Sequence, residues 1–443
     1  MSVAYWPDNS MRSFYNILFS FFFALSAPFY FLKMWRRGNW QTGFGQRFGR
    51  YSGKLKQGLT NRNTLWLHAV SVGEVNICTQ LIRALEPRAP NLKIVVSTTT
   101  STGMGELLRS LPTHIDKIYY PVDGREIVRR AIAVIHPIAI VLVEAEIWPN
   151  FLWHANDRRI PLFLVNARLS ERSFRGYKRF GFLFRPIFKS FAGVGCQNET
   201  DAARLREIGF PSEKVQAFGN LKFDAAKIDD RRLLDVPGLL AQLGIKKVAP
   251  ILVAGSTHAG EEAILADIFL RLRKKFSDLF LVMVPRHFER GKEVGRELEQ
   301  RGVKFIYRSV ITSETRHAPG EVNCLLVNST GELKYFYEHA SVIFVGKSLA
   351  AEGGQSPIEP GALGKAMVFG PNMQNFALIA EAFLKKDGAI QVRDAKELEQ
   401  TISDLLADEN RRNSLGKNAL QVVRENLGAI DRTVEMILSN LPK

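Results

Sequence analysis

Residues 65–74 read LWLHAVSVGE. The run from Leu65 to Val70 is broken only by His68, Gly73 permits a tight turn, and Glu74 opens a stretch of helical period reaching Leu85. Apolar runs that do not alternate with polar residues indicate strands covered on both faces. A strand followed directly by a helix implies a parallel sheet wrapped by helices. The same unit recurs at LKIVVS (92–97), KIYY (117–120), IAIVLV (138–143), LFLV (162–165), GVGC (193–196) and VQAF (215–218). A polar stretch from Asp224 to Lys247 follows, with an acid–base cluster at Asp229–Arg232. The pattern then restarts at APILVAG (249–255), LFLVMV (279–284), VKFIY (303–307), CLLV (324–327), SVIFVG (341–346) and AMVFG (366–370). The halves share a pattern and not a residue-level repeat. They predict an α/β protein of two Rossmann-like domains, 46–224 and 225–443, facing across a cleft, with ligands beyond the carboxyl ends of the strands.

Length and composition agree. At roughly 100–200 residues per domain, 443 residues make two or three domains. A hydrophobic fraction of 46% with 23% charged residues excludes a mostly disordered chain, a coiled coil and a polytopic membrane protein. Sixty Lys and Arg against 44 Asp and Glu give a net charge of +16. That favours an anionic partner without choosing between a membrane surface, a phosphorylated substrate and nucleic acid. Cys78, Cys196 and Cys324 are far apart, which supports neither a disulfide framework nor a zinc ribbon and suits a reducing compartment.

The segment Phe14–Leu32, FYNILFSFFFALSAPFYFL, has 19 residues and no charge. Lys33, Arg36, Arg37, Arg47, Arg50, Lys54 and Lys56 follow it, with Trp35, Trp40 and Tyr51 among them. A secretory signal and a buried core helix compete for this segment, but the basic, aromatic flank favours a membrane anchor within residues 1–45, everything after it being cytoplasmic. The anchor either spans the bilayer or lies in one leaflet.

Familiar nucleotide motifs fail. Gly346-Lys-Ser348 lacks the glycine five positions earlier that a P-loop needs, because Ser341 stands there. Gly193 and Gly195 begin a dinucleotide turn that Asn198 does not complete. No His/Cys cluster or HExxH points to a metal. What remains are small-residue turns at strand ends. Glu74 is either a plain helix-start acid or a base; the helix dipole and free amides there would keep it ionised, able to take a proton from an attacking hydroxyl. Glu144 and Glu146 stand past a strand and would point the same way if it continued, and Pro149 can start the next helix. The turn from Gly255 to Glu261 could cradle a phosphate, or Ser256 could simply cap a helix. Arg286 could fork onto a phosphate or a pyrimidine edge. In Glu352-Gly-Gly-Gln-Ser-Pro-Ile-Glu359, two glycines allow close backbone approach and Glu359 falls in a first helical turn, where it either suits a ribose or simply offsets the helix dipole; the crowded Gly and Pro favour the ribose. Between Asp157 and Lys189 lie nine Lys or Arg and two acids, interleaved with Phe174, Tyr177, Phe180, Phe182 and Phe184. Such a run is a solvated face, a nucleic-acid surface or a site for anionic lipid; the upstream anchor favours lipid.

Together the motifs HAVSVGE (68–74), TTTSTG (98–103), EAEIWPN (144–150), NARLSERS (166–173), QNETDAARL (197–205), GNLKFD (219–224), STHAGEE (256–262), VPRH (284–287), GEL (331–333) and EGGQSPIEP (352–360) resemble the 3-deoxy-D-manno-octulosonic acid (Kdo) transferases of lipopolysaccharide synthesis. The resemblance implies a GT-B fold and an inverting, metal-independent glycosyltransferase with no cofactor. It would move Kdo from CMP-Kdo to a lipid A precursor, lipid IVA, at the cytoplasmic face of the inner membrane. It implies that Glu74 is the general base and that Glu144 and Lys222 stabilise the charged transition state. Pro285 and Arg286, Thr330-Gly331-Glu332, and Ser356-Pro357-Ile358-Glu359 would form the CMP site. Arg168, Arg172 and Arg175 are assigned to acceptor phosphates from the charge pattern alone. The family commonly has His-Asn where this chain has Gln355-Ser356, and Met where it has Thr330, which bears on donor preference. Two rivals stand: another GT-B enzyme using a UDP-sugar, as transferase or epimerase, and a membrane-tethered nucleic-acid-binding protein.

Overall fold

The computed structural model describes residues 9–36, 41, 43–144, 146–226 and 234–442. The acid–base cluster at 229–232, Arg37, Trp40 and Ala145 lie outside the described residues. Two compact units divide the chain: Met1–Ala225 together with Asn426–Lys443, and Ala226–Glu425.

The first unit is built on β1 (Thr64–His68), β2 (Lys93–Thr98), β3 (Asp116–Tyr119), β4 (Pro137–Val143), β5 (Leu162–Ala167), β6 (Phe191–Cys196) and β7 (Val215–Ala217). They form one parallel sheet in the order β3-β2-β1-β4-β5-β6-β7. The second unit has β8 (Ile251–Thr257), β9 (Phe280–Pro285), β10 (Phe305–Tyr307), β11 (Cys324–Leu326), β12 (Val342–Val345), β13 (Met367–Phe369) and β14 (Ile390–Gln391). Its sheet is also parallel, in the order β10-β11-β9-β8-β12-β13-β14. The central strands are buried along their length, as their unbroken apolar runs require. In each sheet the strand order reverses once, between β1 and β4 and between β8 and β12. Such a reversal opens a crevice at the carboxyl ends of the two strands.

The chain after residue 425 departs from the expected 225–443 domain. The helix Ala429–Ser439 returns to the first unit, where Ala429, Ile430, Val434 and Ile437 join the core cluster of Leu65, Leu67 and Val75. Asp224 caps it, accepting from the backbone N–H of Gly428 and Ile430 at 2.6 Å each. The pair Gly193 and Gly195 serves this packing and not a dinucleotide turn. A Cβ on Gly193 would lie 2.8 Å from Met436 Sδ, and one on Gly195 2.7 Å from the Phe218 ring. Helical period reveals that a segment has an apolar face, but not which sheet that face covers.

The N-terminal helix, Asn9–Arg36, belongs to the first unit. Its stretch Ser10–Leu32 is long and apolar enough to cross a membrane. It leaves large apolar side chains exposed, among them Phe14, Ile17, Phe21, Phe22 and Leu25. That exposed apolar face is compatible with a membrane anchor.

Candidate active site

Three acids meet at the reversal point of the first sheet. Glu74 follows β1 in the first turn of the helix Val72–Leu85, and Glu144 follows β4. The Glu74 carboxylate is held by a capping box. Oε2 accepts from the Val70 N–H at 2.8 Å, Oε1 accepts from Ser71 Oγ at 2.8 Å, and Ser71 Oγ accepts in return from the Glu74 N–H at 3.4 Å. The Ser-x-x-Glu spacing at 71–74 announces this arrangement, and sequence reasoning passed over it. Burial works against the ionised form of Glu74 that the helix start was expected to favour. Partial burial raises its pKa first and foremost. The Val70 and Ser71 hydrogen bonds oppose that shift, and the charges of Glu144 and Glu146 add to it. Half-buried and aimed by two donors, it keeps the geometry of a base and gains basicity.

Glu144 does not continue the strand. Its φ is +65°, a left-handed conformation that is strained for a residue with a Cβ. Glu144 and Glu146 bond to different partners. Glu144 accepts from Arg168 Nε at 2.9 Å, while Glu146 Oε2 accepts from Trp148 Nε1 at 2.7 Å. Arg168 is thus the ion-pair partner of Glu144, its side chain half exposed. Lys222 reaches the turn that carries Glu74: a Cβ on Gly73 would lie 3.9 Å from its Nζ. Among the described residues no carboxylate pairs with that ammonium.

A buried polar network places Lys222. Asn166 Oδ1 accepts from the Leu221 N–H at 3.0 Å, Gln197 Nε2 donates to Asn166 O at 3.1 Å, and Asn220 Nδ2 donates to Gln197 Oε1 at 3.1 Å. Asn220 Oδ1 then accepts from the Lys222 N–H at 3.1 Å. Sequence reasoning quoted the motifs that carry these residues but assigned them no role. Asp123, in none of the motifs, is also buried; it accepts from the N–H groups of Asn150 and Phe151 at 3.0 and 2.8 Å and so fixes the start of the helix Pro149–Asp157 behind the acids. Burial pushes its pKa up to about 7.

Arg172 and Arg175 lie exposed on the helix Glu171–Arg179, and Arg175 approaches Glu171 at 3.8 Å. Phe174, Tyr177 and Phe184 pack on the core, whereas Phe180 and Phe182 remain exposed.

In the second unit, the expected donor-site residues stand at or just beyond the carboxyl ends of three strands, β9, β11 and β12. Pro285 ends β9, and the exposed Arg286 donates its N–H to Thr257 O at 3.0 Å. The turn Thr330-Gly331-Glu332 precedes the helix Leu333–His339, with Gly331 at φ +82°. Its Glu332 carboxylate is already engaged, accepting from Arg308 Nη2 at 3.0 Å and from Ser329 Oγ. Ser356 Oγ accepts from the Ile358 N–H at 3.3 Å, Pro357 precedes the short helix Ile358–Ala362, and Glu359 lies in its first turn. Glu359 is exposed by area, yet the chain crowded around it raises its pKa through desolvation, against Lys334 and Arg286, which lower it. Ser256 caps no helix. It sits at φ +54°, and the helix Glu261–Arg273 begins after Gly260 without a side-chain cap.

A fully buried carboxylate, Glu261, organises these loops. It accepts from the N–H groups of His258 (2.9 Å), Lys347 (2.7 Å), Ser348 (2.8 Å) and Leu349 (2.9 Å). Lys347 O in turn accepts from the Gly354 N–H at 2.8 Å. The amide of His258 is therefore not free to cradle a phosphate.

The sequence family described as 3-deoxy-D-manno-octulosonic-acid transferase (kdotransferase) matches residues 42–225. The 3-deoxy-D-manno-octulosonic acid transferase of Haemophilus influenzae is 32% identical over 375 residues, covering 84% of this chain and 86% of its own. That of Bordetella pertussis is 30% identical over 425 residues, 93% of this chain and 96% of its own. Among solved structures, UDP-GlcNAc 2-epimerase from Neisseria meningitidis superposes with a TM-score of 0.53 at 15% identity, over 85% of this chain and all of that one. The last likeness shows the two-domain GT-B type of fold.

Proposed function

Since the chain belongs to the 3-deoxy-D-manno-octulosonic acid transferase family, and is thereby a glycosyltransferase acting in lipopolysaccharide synthesis, we propose that it moves Kdo from CMP-Kdo to a sugar hydroxyl of a lipid A precursor, lipid IVA. The reaction takes place at the cytoplasmic face of the inner membrane, with inversion at the anomeric carbon and with the protein's own side chains in place of a metal. The observation that carries this reading is the meeting of Glu74, the Glu144–Arg168 pair and Lys222 at the reversal point of the first sheet.

Glu74 takes the proton of the acceptor hydroxyl as its oxygen bonds to the anomeric carbon. On the opposite side of that carbon the bond to phosphate breaks, and the electron pair leaves with CMP. The carbon is cationic in between, and Glu144, fixed by Arg168 in its strained turn, lies ready to stabilise that charge. Lys222 offsets negative charge gathering on the departing phosphate. Pro285, Arg286, the backbone of Thr330-Gly331-Glu332, and Ser356 to Glu359 hold CMP, with Glu359 accepting from the ribose hydroxyls. Arg172 and Arg175, exposed on their helix, meet acceptor phosphates, and the N-terminal helix keeps the enzyme at the lipid surface.

The test is transfer in vitro, with CMP-Kdo generated in situ and a tetraacylated lipid A precursor as acceptor. A product heavier by one or more Kdo units supports the proposal. Ligand-induced thermal shift separates the donors: CMP raises the melting temperature in proportion to ln(1 + [L]/Kd), and UDP does not. Stabilisation by UDP and not by CMP replaces this reading with a UDP-sugar enzyme.

A further inference from the structure

The N-terminal helix meets the first unit at both of its ends. Near its start Arg12 forms a two-point ion pair with Asp157, at 2.7 and 2.9 Å. Tyr15 Oη donates to the buried Asp123 at 2.8 Å, and Asn150 Nδ2 donates to Asn16 Oδ1 at 2.9 Å. The Tyr15 and Trp153 rings meet edge-on at 5.5 Å. Near its end, the Phe31 ring lies 6.2 Å from that of Phe44, in the folded segment Phe44–Phe48. At 1.5 Å per residue the two attachments are about 24 Å apart along the helix. Between them, Tyr15, Phe19, Phe23 and Ser26 form a half-covered stripe. Phe14, Ile17, Phe21, Leu25 and Phe29 form the opposite stripe, each at least 60% exposed.

A helix that crosses a bilayer puts its ends on opposite sides of a hydrocarbon layer about 30 Å thick. Both ends here touch one folded unit, and that unit cannot stand on both sides. We infer that the helix lies in the plane of the membrane, with its Phe-rich outer stripe sunk into a single leaflet, and does not span the bilayer. The occupant of that stripe is lipid hydrocarbon, because the 19 residues Phe14–Leu32 contain no charge while the chain behind them is basic. This rests on the membrane attachment proposed above and adds its topology. Tyr15 and Asn16 join the inserted helix to Asp123 and Asn150, which position the helix following the acid turn, so the active-site wall is fixed relative to the lipid surface.

Sidedness of labelling tests it on the full chain. Cys78, Cys196 and Cys324 are all buried, so a membrane-impermeant maleimide reports introduced cysteines. Ser10→Cys, at the exposed start of the helix, is compared with Gln57→Cys, exposed in the folded unit, in membrane vesicles of both orientations. An in-plane helix gives labelling of both positions from the same, cytoplasmic, face. Labelling of Ser10→Cys from the opposite face, or from neither, overturns the inference while leaving membrane attachment intact. Recovery of the chain in the soluble fraction overturns both. Transfer activity measured on the same vesicles tests the enzymatic reading separately and confirms that the variants are folded.

Discussion

At the scale of single residues, Glu74 has two duties that one substitution can confuse. It is half of a capping box, so alanine removes a helix cap costing about 1 kcal/mol together with the base. Glutamine preserves the shape: its carbonyl can still accept from Val70 and its amide can donate to Ser71. We therefore expect Glu74→Gln to lower kcat about 10²–10⁴-fold, the usual contribution of a general base, with CMP binding unchanged. The pH dependence has a definite sign. The pKa is raised in the folded protein, so the ionised base is fully present only above that value, and kcat/KM falls on the acid side with a midpoint above the ordinary glutamate range. Stability moves the other way. Burying the ionised carboxylate costs free energy at pH above the folded pKa and nothing below the unfolded one, so Glu74→Gln is at least as stable as the parent at pH 7, and any advantage disappears in acid. A variant that loses stability at pH 7 and keeps its turnover would make Glu74 a cap and nothing more.

At the scale of elements, Glu261 shows how a charged residue can hold loops together from inside. Four backbone N–H groups from two separate turns converge on one buried carboxylate, which joins the turn after β8 to the one after β12. Replacing an anion that satisfies buried donors leaves them unpaired, at about 1–3 kcal/mol for each group exposed to the loss. Glu261→Gln presents an N–H to two of the donors in place of an acceptor, so we expect a drop of about 3 kcal/mol in the stability of the second unit. CMP affinity should fall with it, since Lys347 O also holds Gly354 at the start of the proposed donor loop. Urea denaturation and CMP titration of the variant check this together; unchanged midpoints and affinity would show that the loops hold themselves. Elements of this kind mark the limit of what the chain discloses by itself. The strands at 65–70, 138–143 and 279–284 are legible because a strand covered on both faces must be an unbroken apolar run. Pro149 and Pro357 are legible because proline suits a helix start. Neither the left-handed turn at Glu144 nor the convergence on Glu261 has a local signature, because both are fixed by neighbours 24 or more residues away in sequence, Arg168 and Lys347. The Ser71–Glu74 box was visible in principle, but its motif says only that a cap forms, not that the capping acid is also crowded by two others.

At the scale of the whole molecule, the chain passes between the two units twice, once near residue 225 and again near 425. A cut that follows the alternation of strands and helices alone, at 224/225, therefore misassigns the tail. The helix Ala429–Ser439 fills the first unit's core with Ile430, Val434 and Ile437, and its N-terminal amides satisfy Asp224, which is itself buried. Removing it exposes the helix Val72–Leu85 and the sheet face over β6, and leaves that carboxylate without its donors. Burial of each large aliphatic side chain is worth about 1.5–3 kcal/mol, so losing three approaches the 5–15 kcal/mol that holds a typical domain together. Truncation after Glu425 should thus unfold the first unit and abolish transfer. The second unit keeps every strand of its own sheet and should still melt cooperatively and bind CMP. Limited proteolysis of the truncated chain, followed by mass spectrometry, distinguishes the outcomes: a protected fragment close to 234–425 with the first unit digested is expected, whereas protection of 43–225 would mean that the first sheet closes its core without the tail. The same arithmetic predicts that a fragment ending at residue 225 fails to fold alone, and that adding a peptide of residues 426–442 in trans restores its protection.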